Sequence, residues 1–334
     1  MEKLLEIKNL ETAFRIKDDY FNAVDKVSLD LYKNEVLAIV GESGCGKSTL
    51  ATTIMRLHNE NLTKSTGEII FNGKNILDLT EDEMNKIRTK DIGMIFQDPL
   101  SSLNPLHRIG KQIEEALIYH TELSAEERQK RVIELLTQVG IPNPERCAKQ
   151  YPHELSGGMR QRVMIAMAMS CKPSVLIADE PTTALDVTIQ AQILDLIKGL
   201  QAEMHAGIIL ITHDLGVVAE MADRVAVLYA GEVVEIGTAE QIFKNPQHPY
   251  TRSLLRSIPQ LDDEDASDDL YVIQGMVPSL KTLDRQGCRF ADRIPWLKKE
   301  DHEHNPTLHE VEEGHHVRCT CHRNFEFEGE ENNA

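Results

Sequence analysis

The sequence of 334 residues contains no long hydrophobic segment, few aromatic residues and only six cysteines. Its longest apolar runs, Val36–Val40 and Gly207–Ile211, are far shorter than the roughly 20 residues that a membrane-spanning helix needs. The charged start, Met1–Glu6, does not have the pattern of a secretory signal. Scattered cysteines are typical of reduced thiols rather than of a disulfide framework. We therefore expect a cytosolic protein.

Basic residues are also scarce. The chain has 36 Lys and Arg against 54 Asp and Glu, which gives a formal net charge of −18. Broad binding to nucleic acid and adsorption to anionic membranes both depend on a basic surface. The charge balance therefore argues against both kinds of binding.

The pattern along the chain predicts an α/β protein with a C-terminal appendix. Short β-branched runs alternate with helical patterns from about Leu4 to Phe243, as in a sheet covered by helices. The pattern breaks after Pro246, and residues 271–334 are rich in His, Glu and Pro. We interpret the acidic stretch Leu261–Asp269 as a solvated linker and expect disorder from about Glu326. The main predicted strands are Val36–Val40, Ile92–Gln97, Ser174–Ala178, Gly207–Thr212 and Gly231–Ile236, and the main predicted helices are Lys47–Leu57, most of Gly110–Val139, Thr188–Met204 and Thr251–Ser257.

The segment Gly41–Thr49 is a specific motif, because it fits the pattern G-x-x-x-x-G-K-[ST] between a predicted strand and a predicted helix. Its glycines allow successive backbone N–H groups to point at phosphate oxygens, and the following helix adds its positive N-terminal end. Lys47 is predicted to reach the β- and γ-phosphates, and the hydroxyl of Ser48 to ligate Mg²⁺. The predicted nucleotide-binding residues of this loop are Gly41, Ser43, Gly44, Cys45, Gly46, Lys47, Ser48 and Thr49.

Two carboxylates, Asp179 and Glu180, follow the apolar run Val175–Ala178. A parallel strand places its carboxyl end at the ligand-binding edge of a sheet. Asp179 then suits a contact to Mg²⁺ through water, and Glu180 suits the base that polarises an attacking water. Taken alone, such a pair is also found in ordinary solvated turns.

Gln97 and His213 each come at the end of a predicted strand. From a movable loop, the amide of Gln97 could contact both Mg²⁺ and the attacking water, and His213 could bridge the γ-phosphate to Glu180. A lone Gln or His in such a place is more often structural. We predict catalytic roles for both because of the motifs that surround them.

The segment Leu155–Met159 reads Leu-Ser-Gly-Gly-Met. Ser156 could simply cap a helix in a tight turn that the glycines permit. Alternatively, the Ser156 hydroxyl and the amides of Gly157 and Gly158, at a helix N-terminus, form an anion site. That anion site has no phosphate of its own to bind, so we predict that it serves a nucleotide held by a second copy of the fold.

Taken in order, these motifs resemble those of the nucleotide-binding subunits of ABC transporters over about residues 1–240. The corresponding elements are the Walker A loop at Gly41–Thr49, the Q-loop at Gln97, the signature at Leu155–Met159, the Walker B segment at Val175–Glu180, the D-loop at Ala184–Asp186 and the H-loop at His213. Met159 departs from the family, in which Gln is more usual. We expect little effect, because the phosphate contacts come from Ser156 and the glycines.

The resemblance implies an ABC-type P-loop ATPase fold in residues 1–244, with a mixed sheet core and a helical signature subdomain at about residues 98–170. It also implies that two subunits pair head to tail, so that each ATP lies between one Walker A loop and the opposite signature. The family stacks an aromatic residue on the adenine. Tyr20 is our candidate, with Phe21 as an equal alternative and Phe14 as a weaker one.

Two stretches, Phe96–Pro105 and Asn245–Leu255, are similar to those of ABC importers for oligopeptides, dipeptides and nickel. The small accessory extension of that subfamily, here residues 245–334, matches at Gly275, Pro278, Gly287–Phe290 and His316–Cys319. Such systems pair this subunit with a homologous ATPase, two membrane permease subunits and an extracytoplasmic substrate-binding protein. The resemblance therefore implies a peripheral protein at the cytoplasmic face of the cell membrane.

Some relatives hold an iron–sulfur cluster on four cysteines of this extension. Here Cys288 and Cys319 match, whereas the two intermediate positions are Ile294 and Asp301. Since four thiolates cannot be assembled, we expect no iron–sulfur cluster. Another metal site is the less favoured alternative, and it would draw on Cys321 and the tail histidines, which are His302, His304, His309, His315, His316 and His322.

The sequence thus predicts an ATPase that uses ATP and Mg²⁺ to power the import of oligopeptides or dipeptides. ATP binding closes the dimer, water attacks the γ-phosphate with Glu180 as base, and hydrolysis reopens the dimer. An importer of nickel or metal–chelator complexes is the nearest alternative. A soluble ABC ATPase that acts on ribosomes or DNA is a more distant one. The choice of substrate lies in other subunits.

Overall fold

The computed structural model describes residues 2–183, 185–258 and 271–328. The predicted linker Leu261–Asp269 and most of the tail that we expected to be disordered lie outside these residues. The chain forms two compact units. The first unit comprises Met1–Glu6, Asp30–Val36 and Glu68–Ile211, and the second comprises Ile7–Leu29, Leu37–Gly67 and Thr212–Ala334.

Twelve strands lie within the described residues. They are β1 Lys3–Ile16, β2 Asp19–Tyr32, β3 Val36–Val40, β4 Thr63–Phe71, β5 Lys74–Asn75, β6 Ile92–Ile95, β7 Val175–Asp179, β8 Gly207–Ile211, β9 Arg224–Tyr229, β10 Glu232–Thr238, β11 Leu308–Glu312 and β12 His315–Arg318. Every residue of β3, β6, β7 and β8 is buried. Burial on both faces explains why these strands read as continuous apolar runs instead of alternating ones.

Eleven α-helices occur in the same residues, with short 3₁₀ turns between them. They are α1 Lys47–Ile54, α2 Glu81–Ile87, α3 Pro99–Ser102, α4 Ile109–His120, α5 Ala125–Gln138, α6 Pro144–Cys147, α7 Gly157–Ala168, α8 Val187–Met204, α9 Leu215–Met221, α10 Ala239–Lys244 and α11 Pro249–Arg256. None of the helices in the described part of the chain is long and apolar enough to cross a membrane.

The first unit contains the parallel strands β6, β7 and β8. Ile92 of β6 lies opposite Val175 of β7, and Val175 lies opposite Gly207 of β8. The carboxyl ends of these strands therefore fall at one edge. The helices α4, α5 and α7 pack on one another in this unit. In α5, Ser124 and Glu127 form a capping box that starts the helix after the break at residues 121–124.

The second unit combines parallel and antiparallel strands. β3 runs parallel to β9, from Leu37 opposite Arg224 to Val40 opposite Val227. β9 returns as the antiparallel strand β10, which pairs with β12, and β12 pairs with β11. A separate sheet contains four strands in the order β2-β1-β4-β5.

The C-terminal extension is built into the core of the second unit. The rings of Tyr229 and Tyr250 lie 4.6 Å apart between centroids, and Phe290 meets Tyr229 edge to face at 5.3 Å. All three side chains are almost fully buried. Further along, Phe327 packs edge to face on Tyr271. The first residues of the tail that we expected to be disordered from about Glu326 therefore pack on the extension.

The predicted α/β class is confirmed, and so are the main elements. Some boundaries were wrong. The strand β6 ends at Ile95, so Gln97 lies two residues beyond it. The helix α1 ends at Ile54, and Arg56 takes a left-handed conformation with φ of 48°. The hairpin of β11 and β12 was not predicted, because its sequence is too polar to read as buried strands.

Candidate nucleotide site

The segment Gly41–Thr49 forms a tight loop between β3 and α1 in the second unit. Gly41 has a φ of 150°, and a Cβ there would lie 2.1 Å from the carbonyl oxygen of Leu228. Gly46 has a φ of 110°, and its Cβ would lie 2.4 Å from the carbonyl oxygen of Ala23. Both positions therefore require glycine, as the motif predicts.

Lys47 lies inside this loop and is only 6% exposed. Its ammonium donates to the carbonyl oxygens of Gly41 at 2.7 Å and Glu42 at 3.0 Å. The buried thiol of Cys45 is 3.8 Å away, and burial raises the pKa of that thiol. Because a neutral thiol cannot neutralise Lys47, the loop offers one net positive side chain for an anion.

Residues of the C-terminal extension bind Glu42 of the loop through hydrogen bonds and an ion pair. The sequence did not predict these contacts. The hydroxyl of Tyr250 accepts the N–H of Glu42 at 2.7 Å. Arg293 makes a two-pronged ion pair with the Glu42 carboxylate, at 2.5 and 3.2 Å. Arg293 also donates to three carbonyl oxygens of its own segment. The phosphate loop is thus tied to a segment 251 residues away.

A second arginine of the extension braces the turn beside the loop. Arg289 pairs with Asp25 and donates to the carbonyl oxygen of Ala230 at 2.6 Å. The next residue, Gly231, donates its N–H to the carbonyl oxygen of Cys45 at 2.8 Å and accepts the N–H of Asp25 at 2.9 Å. The turn Ala230–Gly231 therefore connects Arg289 with the phosphate loop.

The first unit brings together two of the predicted catalytic residues. Gln97 Nε2 donates to Glu180 Oε2 at 2.8 Å, and the Thr183 hydroxyl donates to the same oxygen at 2.8 Å. Glu180 has a φ of 46°, which is uncommon for a residue with a side chain and costs about 1 kcal/mol or more. Its N–H is held by the carbonyl oxygen of Ile211 at 2.8 Å. The backbone thus fixes the direction of this carboxylate, and Thr183 is a contact that the sequence did not suggest.

The predicted Mg²⁺ ligands all offer oxygen atoms, the donors that Mg²⁺ prefers. Asp179 ends β7 and is 5% exposed, in the first unit. Gln97 donates its Nε2 to Glu180, which leaves the amide oxygen Oε1 for a cation. Ser48 is exposed on the first turn of α1, in the second unit. The donor set fits Mg²⁺, and the assignment of each ligand stays a prediction.

The signature residues form the open N-terminus of α7 in the first unit. Ser156 caps the helix by accepting the N–H of Met159 at 3.3 Å. Ser156 and Gly157 are exposed, and a Cβ on Gly157 would meet no atom within 4 Å. A Cβ on Gly158 would lie 3.1 Å from Ile189 of α8. The helix therefore presents a hydroxyl and the amides of its first turn at its positive end, which suits an anion.

The remaining predicted residues occupy ordinary structural positions. Asp186 caps α8 by accepting the N–H of Ile189 at 3.0 Å, and Ala184 of the predicted D-loop lies outside the described residues. His213 is exposed just after β8, and Asp214 caps α9. Tyr20 is half-buried at the start of β2, with the Lys64 ammonium 4.0 Å from its ring centre. Their roles toward a nucleotide stay predictions.

The residues that we compared with the iron–sulfur ligands of relatives need one correction. The extension brings together the thiols of Cys288, Cys319 and Cys321 with the imidazole of His302. Sequence matching found only Cys288 and Cys319, because the two missing partners stand at shifted positions. Three thiols and an imidazole still do not make the four-thiolate set that some relatives use.

Two family models match the chain. The model described as ABC transporter matches residues 24–183, and the model described as oligopeptide/dipeptide transporter, C-terminal region, matches residues 234–300. The first match contains the phosphate loop and the Glu180 site. The second contains Tyr250, Arg289 and Arg293.

Known proteins are similar to the chain over nearly its whole length. It is 54% identical to the oligopeptide transport ATP-binding protein OppD of Lactococcus lactis subsp. cremoris, over 98% of this chain and 96% of that one. It is 53% identical to the dipeptide transport ATP-binding protein DppD of Bacillus subtilis, over 88% of each chain. Among solved structures it is similar to the ATP-binding cassette MJ0796 in a dimeric post-hydrolysis state with ADP and Pi, with 33% identity and a TM-score of 0.64 over 71% of this chain and 99% of that one.

Proposed function

The chain belongs to the ATP-binding subunits of ABC transporters and hydrolyses ATP, and on that premise we propose that it powers the uptake of oligopeptides or dipeptides. One observation carries the proposal. The identity of 54% to an oligopeptide transport protein runs through both the ATPase region and the extension. A shared ATPase alone would indicate only an ABC protein, whereas the extension matches the model described as oligopeptide/dipeptide transporter, C-terminal region.

We assign the chemistry of the site as follows. The phosphate loop binds the β- and γ-phosphates through its amides and Lys47. Ser48, Gln97 and Asp179 would hold the Mg²⁺ that accompanies ATP, and this cation would screen the phosphate charge. Glu180 accepts a proton from the attacking water, with its carboxylate oriented by Gln97 and Thr183. The geometry around Glu180 supports this role, since both neighbours donate to the same oxygen and so hold the carboxylate in one orientation.

We assign the Ser156 site to the ATP of a second subunit. The exposed N-terminus of α7 supports this role, because its hydroxyl and amides suit a phosphate. A solved relative, the cassette MJ0796, is dimeric with ADP and Pi. His213 would contact the γ-phosphate, Asp186 would lie at the subunit contact and Tyr20 or Phe21 would stack on the adenine.

The chain would work as a peripheral subunit of a larger transporter. The relatives are named as ATP-binding proteins of transport systems, and no helix of the described residues could cross a membrane. We propose that a homologous ATPase subunit, two permease subunits and an extracytoplasmic substrate-binding protein complete the system, with this chain at the cytoplasmic face.

Uptake assays test the substrate class. A strain that lacks this gene is complemented with the parental chain, with Glu180→Gln or with Lys149→Ala, a matched change at an exposed residue of the helical region. Labelled dipeptides, oligopeptides and nickel are then supplied separately. We expect peptide uptake to return with the parental chain and Lys149→Ala only. Restored nickel uptake without peptide uptake would contradict the proposal and favour a metal importer.

A copurification experiment tests whether the chain is part of a membrane transporter. The tagged chain is extracted from membranes with mild detergent, and its partners are identified. Recovery of permease subunits supports the transporter role, whereas recovery of ribosomes or DNA would favour a soluble ABC ATPase.

A further inference from the structure

The extension holds four side chains that are arranged like the ligands of a single metal ion. The thiols of Cys288, Cys319 and Cys321 and one imidazole nitrogen of His302 all lie within 4.8 Å of one another. These residues come from three separate parts of the extension, so chain proximity alone does not explain the cluster. We propose that Cys288, His302, Cys319 and Cys321 bind one Zn²⁺ ion as a closed structural site.

The spacing fits one tetrahedral ion. With Zn–S bonds near 2.3 Å and Zn–N bonds near 2.0 Å, the ligand atoms of a tetrahedral zinc site lie about 3.5–3.8 Å apart. Small rotations of the four side chains would close the remaining gap from 4.8 Å. A four-iron cluster is ordinarily held by four thiolates, and it keeps them further apart because the irons and inorganic sulfides lie between them.

The donor set also favours zinc. Three thiolates and one imidazole are a standard ligand set of structural zinc sites, which use all four positions and leave none for substrate. Carboxylates, the ligands of Mg²⁺ and Ca²⁺, are not part of the cluster. Cys319 and Cys321 are fully buried, and Cys288 and His302 are half-buried. Such burial suits a structural ion rather than an exchangeable one.

Two details of the polar contacts point to a bound cation. The Nδ1 atom of His302 is buried without a hydrogen-bond partner among the described residues. An unsatisfied buried nitrogen is unfavourable, and Nδ1 would be satisfied if it were the ring atom that binds the metal ion. The N–H of Glu303 points at the sulfur of Cys319 at 3.3 Å. A sulfur that accepts a backbone N–H is stabilised as a thiolate, the form that binds metal.

A metal ion would stabilise the irregular segment at residues 271–307. Between Tyr271 and Thr307 the structure contains only two short 3₁₀ turns, at Ala291–Arg293 and Lys299–Asp301. Although Leu283, Phe290 and Ile294 of this segment are buried, the segment has almost no regular secondary structure to hold it in place, and small modules of this kind are commonly stabilised by a metal. Zinc would connect Cys288 and His302 of this segment to the turn that follows β12, which contains Cys319 and Cys321.

Metal analysis of the full-length protein is the direct test. The protein is purified without a histidine tag and without chelators, and zinc, iron and acid-labile sulfide are measured. We expect about one zinc per chain and neither iron nor sulfide in stoichiometric amounts. Protein that carries no stoichiometric metal, or iron together with sulfide, would overturn the proposal.

Variants with matched controls test the ligands. Cys321→Ser and His302→Gln should each lower the zinc content of the protein by more than half. Cys171→Ser, which changes a cysteine outside the cluster, and His304→Gln, which changes an exposed histidine two residues from His302, should retain it. Equal zinc content in all four variants would show that the metal is bound elsewhere.

A titration of the parental protein covers the case in which the ligand variants do not fold. An organomercurial reagent that reacts with thiols is added stepwise, and released zinc is detected with a chromogenic chelator. Zinc should be released in proportion as three thiols react, and chelator treatment should lower the melting temperature. Release without any reaction of thiols would exclude the cysteines as ligands.

Discussion

The carboxylate of Glu180 is oriented from two directions. Its backbone takes a left-handed conformation, and its Oε2 accepts hydrogen bonds from Gln97 and Thr183. A base that activates water must present one oxygen at a defined place, and fixed partners on the other oxygen achieve this. At the scale of single residues, our proposal assigns the hydrolysis step to Glu180 and the binding of ATP to Lys47.

Replacement of the base separates binding from hydrolysis. Glu180→Gln keeps the shape of the side chain and its contact with Thr183 but removes the proton acceptor. We expect turnover to fall by about 10²–10⁴-fold while ATP still binds. The measurement is phosphate release alongside ATP binding by fluorescence, with Glu203→Gln on α8 as a control. Turnover equal to that of the parental protein would contradict the role of Glu180.

Replacement of the loop lysine acts on binding. Lys47→Ala removes a buried ammonium that donates to carbonyl oxygens of Gly41 and Glu42 and that would turn to phosphate. Loss of one or more charge-assisted hydrogen bonds should weaken ATP binding by about 10- to 100-fold. Titration with a fluorescent ATP analogue measures this, with Lys149→Ala as the control. An unchanged dissociation constant would rule out the assignment.

The phosphate loop depends on an element that sequence reading placed outside the ATPase. Arg293 and Tyr250 hold Glu42 from the extension, and Arg289 holds the turn Ala230–Gly231. The side chain of Arg293 is 5% exposed. At the scale of elements, the extension therefore supports the loop to which we assign phosphate binding.

A double-mutant cycle measures this support. Arg293→Gln should lower the free energy of unfolding by about 2–3 kcal/mol, because it removes a charge-assisted pair and leaves Glu42 without its cation. Combined with Glu42→Gln, the two changes should be less than additive by about 0.5–3 kcal/mol. Urea unfolding of the four proteins gives these values, with Arg323→Gln, an exposed residue nearby, as control. Additive effects would mean that the ion pair contributes nothing.

The catalytic motifs could be predicted from sequence because their spacing is local. The glycines of Gly41–Thr49, the acids Asp179 and Glu180 at the end of β7 and the cap of α7 each depend on a few neighbouring residues. The contact of Arg293 with Glu42 joins positions 251 residues apart, and no local pattern reveals it. Likewise His302 and Cys321 lie beside Cys288 and Cys319 although they do not stand at the fixed spacing of the four cysteines. The sequence offered both residues only as members of the less favoured metal site. The strands β11 and β12 were missed because their sequences are polar and half-exposed.

The whole molecule carries a nucleotide loop in one unit and an exposed signature helix in the other. The signature has no role in a lone subunit under our proposal, since it serves the ATP of a partner. Activity should therefore depend on association, and association should depend on the anion site at Ser156.

Light scattering tests this dependence. The Glu180→Gln protein, mixed with the homologous ATPase subunit of the same transporter, should associate when ATP and Mg²⁺ are added. Addition of Ser156→Arg should abolish that association, because the side chain fills the anion site. Ser124→Arg is a matched control, since Ser124 also caps a helix but lies in α5. Association that survives Ser156→Arg would remove the signature from the interface.

The pairing of β12 with β10 affects where the protein can be truncated. In the second unit, Ile236 of β10 lies opposite His316, and Glu235 lies opposite Val317. A chain that stops at residue 244 would leave the N–H and C=O groups of β10 without partners along this side. Unpaired strands of this kind recruit other chains and promote aggregation. An isolated cassette made by trimming the extension is therefore expected to be poorly soluble, and its low activity would say nothing about catalysis.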